Sequence, residues 1–192
     1  IMHGVVCYGS DLEIVTPDRG RTKALQYALQ GGAISGFDLA LGDTPLQATG
    51  RTGVRARVEP GSYVGQGHPD QWLAICAMAS VPIDTEVFVA GEARTLVDWC
   101  RQAQWDVGRN LLEEFSWTLI ALTHYLPDEP AWMTADGGRV DWELLVDAEL
   151  ANDLDASPCG GTHRLAGIVR ALAAKQRLGL PDSEVWNRAQ RT

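Results

Sequence analysis

The sequence predicts a mainly helical domain: an α/α toroid or partial α/α barrel of about four helix pairs, with small β-hairpins between inner and outer helices. Three observations lead there. Stretches such as WLAICAMA and WTLIALTHYL are apolar on nearly every side, amphipathic stretches alternate with them, and glycine-bearing turns recur between the two. A helix apolar all round must be buried on several faces. Helix pairs that hide their apolar sides only against the next pair stack into an array.

The inner helices are expected at Met2 to Gly9, Asp70 to Ser80 and Phe115 to Leu126, with a fourth starting at Thr162. In the fourth, Leu165, Ile168, Val169 and Leu172 keep helical spacing, and Gly179 ends it. Each of the first three is followed by an extended piece, a turn and an amphipathic helix: Leu12 to Gln30, Thr85 to Ala103 and Ala131 to Asn152. Ala90-Gly91-Glu92 and Asp136-Gly137-Gly138 suit tight hairpins, because glycine reaches positive φ without a steric cost. Thr95 and Asp141 are the expected N-caps of the helices that follow. Pro181-Asp182-Ser183 opens a final amphipathic helix containing Val185 and Trp186.

One segment departs from this plan. Residues 31–67 hold nine glycines and two prolines in 37 positions, with one alternating, strand-like piece at 54–58. An irregular insertion of that length is usually functional or disordered, and it is expected to cap the mouth of a single domain spanning residues 1–192.

With 45% apolar and 21% charged residues, the chain can bury a substantial core. Its net charge of -9 and the absence of a basic run make duplex nucleic acid and anionic membrane poor partners. No apolar run reaches membrane-spanning length, so a soluble chain without membrane insertion is expected. Ile1, followed at once by an ordered-looking His3-Gly4-Val5-Val6, suggests a trimmed or processed piece of a longer chain, which leaves the compartment open. The four cysteines form no C-x-x-C pair.

The chemistry-bearing residues concentrate at helix starts. His3, His68 and His163 each stand at or near the start of an inner helix beside glycine, and corresponding helix ends meet at one rim of a toroid. His124 lies nine residues after Phe115, roughly 13 Å along the axis, and is expected to drop out. Three chemistries suit the rim. Cys159 and His163 in C-x3-H spacing, joined by His68 or Asp70, would suit zinc. Cys159 ahead of the Thr162 helix could be a thiol nucleophile with a histidine base. His68 with Asp70 could act as an acid–base pair without metal. Each has a structural counterpart: helix-start histidines bind backbone, Asp70 caps its helix, and Cys159 packs in a turn. Gln71, Trp72, Trp117, Arg164 and Tyr8 complete the expected substrate-binding set, because tryptophans near inner-helix starts would line a pocket.

The layout resembles the α/α-toroid superfamily of terpenoid cyclases, protein prenyltransferase β-subunits, lanthionine cyclases and thioester-containing domains. The likeness is carried by the repeat plan and by Cys159-Gly160-Gly161-Thr162-His163 opening an inner helix. DDxxD, DxDD, Cys-Gly-Glu-Gln and the lanthionine-cyclase zinc motifs are all absent, so none of those chemistries is implied. Four repeats fall short of six, which implies a partial ring, a fragment, or closure by a partner chain. The expected function is an enzyme domain whose cavity mouth carries His3, His68, Asp70, Cys159 and His163. It would act on a small-molecule or peptide-like organic substrate, with zinc as candidate cofactor. The alternative is a non-catalytic ligand- or protein-binding scaffold.

Overall fold

The computed structural model describes residues 1–58, 68–110 and 114–192. The chain separates into two compact units, Ile1–Ala103 and Gln104–Thr192, each with its own core.

The first unit runs α1 (Met2–Tyr8), β1 (Glu13–Thr16), β2 (Gly20–Lys23), α2 (Ala24–Leu29), β3 (Phe37–Pro45), β4 (Thr52–Val58), α3 (Gln71–Met78), β5 (Glu86–Val89), β6 (Glu92–Thr95) and α4 (Leu96–Asp106), whose last three residues belong to the second unit. Strands pair only as antiparallel hairpins: β1 with β2, β3 with β4, β5 with β6. The β5–β6 turn places Ala90 and Gly91 at φ 52 and 81, the two consecutive positive values of a type I′ hairpin. α3 is buried from Trp72 through Ala77, as its uniformly apolar sequence requires. α1 packs on α3 but buries only Val5 among its own residues.

β3 and β4 are a two-faced ribbon. Phe37 opposes Val58, Leu39 opposes Ala56 and Leu41 opposes Val54, and Phe37, Leu39, Val54 and Ala56 are buried. On the other face Asp38 pairs with Arg57, directly opposite it, and Asp43 with Arg55 at 3.0 Å. Gly53 is where β4 comes closest to α4: a Cβ there would stand 2.7 Å from the Asp98 carbonyl oxygen. Arg51 Nη2 reaches the fully buried Asp98 carboxylate at 2.6 Å. That carboxylate also accepts the Thr95 amide at 2.8 Å, at the start of α4. The expected Thr95 cap is thus replaced by Asp98, to which the Thr95 hydroxyl itself donates.

The second unit runs α5 (Ser116–Tyr125), β7 (Ala131–Met133), β8 (Arg139–Asp141), α6 (Trp142–Leu150), α7 (Thr162–Leu178) and α8 (Glu184–Ala189). Asp141 caps α6 by accepting the Leu144 amide, and Ser183 caps α8 by accepting the Trp186 amide. α5 and α7 pack against each other. Gly167 permits it, since a Cβ there would meet Ser116 Cα at 2.8 Å. Trp142 and Trp186 are buried in the same unit.

The expectation of a mainly-α toroid or partial barrel of repeats is corrected by this architecture. The described chain is mixed α/β, 47% helical and 22% strand, with eight α-helices and four two-stranded sheets. The main source of the misreading is the segment 31–67. Its glycines suggested irregular chain, but Phe37, Leu39, Val54 and Ala56 alternate with Asp and Arg and build the longest hairpin. Residues 59–67, the last nine of the 37 expected to cap a mouth, lie outside the described residues. Among the described residues no helix is long and apolar enough to cross a membrane.

Candidate active site

In the first unit, His68 and Asp70 precede α3 and are both buried, with Trp72 behind them. The Asp70 amide donates to His68 Nδ1 at 3.0 Å. That bond fixes the neutral ring with its proton on Nε2. Asp70 is the N-cap residue of α3, yet its carboxylate makes no side-chain capping bond there. Trp72 stacks at a tilt on Phe37, centroids 4.7 Å apart, as a core tryptophan does. Gln71 is half-buried in the first turn of α3. His3 and Tyr8 stand exposed on α1. Burial raises the Cys76 thiol to about 12 and pushes Cys100 higher still, which leaves both as inert packing groups.

The second unit gathers a denser set at the head of α7. The chain enters through a short 3-10 turn, Pro158–Gly161, in which Gly160 and Gly161 take φ 61 and 70. Gly161 is required sterically as well, because a Cβ would lie 2.8 Å from the Leu154 carbonyl oxygen. His163 then projects from the first turn. Its Nε2 lies 2.7 Å from Glu114 Oε2, and its ring stacks on Trp117 at 4.9 Å with planes 10° apart. A carboxylate only accepts, so Nε2 carries the proton and Nδ1 is the acceptor of the neutral ring. The other Glu114 oxygen accepts the Ser116 hydroxyl at 2.6 Å. Glu114 thereby ties the start of α5 to the start of α7.

Beneath this clamp lies Glu149, 1% exposed and reaching in from α6. Its Oε1 accepts the Phe115 amide at 2.6 Å and its Oε2 accepts Arg164 Nη1 at 2.8 Å. Arg164 Nε donates to Ser157 Oγ at 3.0 Å. Burial raises the Glu149 carboxyl to about 7. Arg164 and the Phe115 amide oppose that rise, and the nearby Glu114 charge reinforces it. A cavity of about 360 Å³ opens beside Glu149, lined also by Asp153, Leu154, Asp155 and Ile168.

Of the residues expected from sequence, the fold brings together His163, Trp117 and, through Glu149, Arg164. Arg164 is 6% exposed and committed to an internal ion pair, so its geometry is that of a structural group. His68 and Asp70 form a second, separately built pair at the head of α3. The backbone of Cys159 stands in the 3-10 turn four residues before His163. Sequence reasoning missed Glu114 and Glu149. Glu149 sits in an ordinary amphipathic helix, and Glu114 two residues before α5, so neither carried a local signal. His124, exposed on α5, meets Tyr125 edge-on at 4.8 Å. Among the described residues, no three His, Cys, Asp or Glu side chains are grouped to hold a metal ion.

No family model, curated protein or solved structure matches the chain.

Proposed function

We propose that the second unit carries an acid–base site at the head of α7 with His163 as its working group. The observation behind this reading is the clamp on His163. Glu114 fixes the tautomer and Trp117 fixes the ring plane, and Nδ1 remains as the proton-accepting atom. A histidine held by a carboxylate on one nitrogen and offered on the other is the arrangement general-base catalysis uses. Cys159, four residues upstream at the positive end of α7, is the nucleophile that His163 would serve. In this reading the thiolate, favoured by the helix dipole, would attack an electrophilic acyl carbon, forming a carbon–sulfur bond as the bond to the leaving group breaks, and His163 Nδ1 would take the thiol proton and pass it to the departing group. The cavity beside Glu149 is not lined by His163, so the expected class, a small or extended organic substrate, follows from the acid–base group and not from that cavity.

Alkylation of Cys159 by iodoacetamide tests this directly. In a Cys7→Ser background the other two cysteines are buried, so the pH–rate profile reports Cys159 alone. The expected midpoint lies below the ordinary thiol value of about 8.5 and rises towards it in His163→Ala. An unshifted midpoint, unchanged by His163→Ala, would overturn the thiol–histidine reading and leave the unit a non-catalytic binding module.

A further inference from the structure

We propose that Arg170 and His124, side by side on the seam between α5 and α7, form a seat for the phosphate or carboxylate group of an organic ligand. The register of the two helices places them there. At the head of the seam Ser116 closes on Gly167 and Trp117 stacks on His163. Seven residues on in each helix, the Arg170 charge acts on His124, so the two helices run in the same direction. Seven residues are two turns, nearly in line. His124 therefore stands below Trp117 and Arg170 below His163, about 10 Å along the seam.

This pair has no counter-charge. α5 and α7 contain no acidic residue, and Glu114 at the head of the seam is taken by His163 and Ser116. Elsewhere in the unit, cations are neutralised in place: Arg164 by Glu149, Lys175 by Asp182 and Arg188 by Asp147. Arg170 is half-buried, yet it forms no ion pair or hydrogen bond with any described residue. Asp128 and Glu129, beyond the end of α5, do not pair with it either.

The physical consequence is a local demand for an anion in a chain of net charge -9. Partial burial, reinforced by the Arg170 charge, holds the His124 imidazole below its ordinary value. Donors half-withdrawn from water gain from an acceptor. One oxyanion answers both groups: the guanidinium fork takes two oxygens in a plane, and the imidazole donates one N–H. Tyr125 meets the His124 ring edge-on at 4.8 Å and limits its freedom. Taken with the His163 reading, on which this last step rests, the seat gives the substrate an anionic end about 10 Å from the group that moves protons.

Imidazole proton NMR of the full chain reads the seat, with inorganic phosphate or acetate titrated at constant pH and ionic strength. The His124 signal, assigned by its loss in His124→Gln, is expected to shift saturably, while that of His3 in the other unit stays in place. Arg170→Gln should weaken binding by about tenfold or more, the loss of a charge-assisted bidentate contact. Arg177→Gln removes the same charge two turns further along α7 and should change it by less than about twofold. Arg170→Lys, which keeps the charge without the fork, should fall between, and circular dichroism checks that each variant is folded. Tighter phosphate than acetate supports a phosphate ester as ligand, and the reverse supports a carboxylate. No saturable shift with either anion overturns the proposal. So does equal weakening in Arg170→Gln and Arg177→Gln, which marks a diffuse field and not a seat. None of these readouts uses Cys159. A seat without an activated thiol would sink only its link to His163, and an activated thiol without a seat would sink the seat alone.

Discussion

Glu149→Gln should remove a loss of stability that the wild type suffers as pH rises. In the folded chain burial holds this carboxyl at about 7, against an ordinary value of 4.5. A carboxyl raised on folding resists ionisation, so its contribution is complete below the unfolded value. It is lost as pH climbs through the folded one. Between pH 5 and pH 8 the loss amounts to about 2.5 kcal/mol, at 1.36 kcal/mol per tenfold change in proton activity. With a urea dependence of about 2 kcal/mol per molar, the wild-type midpoint should fall by about 1 M over that interval. Glutamine keeps a carbonyl for the Phe115 amide and cannot ionise, so its midpoint should be nearly flat by comparison. The difference between the two profiles cancels the titration of groups common to both. Parallel profiles, or a wild type that gains more stability than the variant on alkalinisation, would refute the assignment of burial as the dominant influence on Glu149.

Three further outcomes follow from the packing. Asp98→Ala removes the first-turn acceptor of α4 and the partner of Arg51, and should cost about 2 kcal/mol in chemical denaturation. Burial raises the Asp98 carboxyl, but the Arg51 and Thr95 hydrogen bonds outweigh it and hold it below the ordinary value. Its contribution should accordingly vanish as pH falls through the acid range, and an Asp98→Ala penalty unchanged at pH 3 would contradict that. Gly161→Ala should cost more than Gly160→Ala by about 1 to 3 kcal/mol. Both have positive φ, but only at Gly161 would the added methyl meet the Leu154 carbonyl, at 2.8 Å. Thermal melts of the two variants decide it. Gly167→Val should force α7 off Ser116 at a cost of about 2 kcal/mol. By disturbing Ser116 beside Glu114 it should also move the Cys159 alkylation profile in the direction of His163→Ala. A destabilised variant with an unmoved profile would separate packing from the clamp.

Much of the local structure was legible in the chain itself. Runs apolar on every side at 71–78 and 116–125 can only be buried helices, and Ala90-Gly91 can hardly be anything but a tight turn. Asp141 and Ser183 cap because a short oxygen-bearing side chain next to a helix start competes for its free amides. The His163 position at the head of a helix was equally readable, since Gly160-Gly161 marks the entry. The balance of fold class was not. The Asp38–Arg57 register and the burial of Phe37 and Leu39 depend on strands that meet across a turn, and glycine content conceals their alternation.

Glu149 and Glu114 mark the boundary most clearly. A glutamate in an amphipathic helix is a solvated residue by default, and nothing within a few residues of Glu149 says otherwise. Its role arises because α6, the start of α5 and the first turn of α7 converge, bringing the Phe115 amide and Arg164 to it from 34 and 15 residues away. The sequence by itself determined the buried helices, the β5–β6 turn and the Asp141 and Ser183 caps, though not the Asp98 cap of α4, because those are set by contacts a few residues apart. The tertiary structure decided the β3–β4 ribbon, the burial of Glu149 and the carboxylate that holds His163, because each depends on groups distant in the chain whose meeting no local pattern encodes.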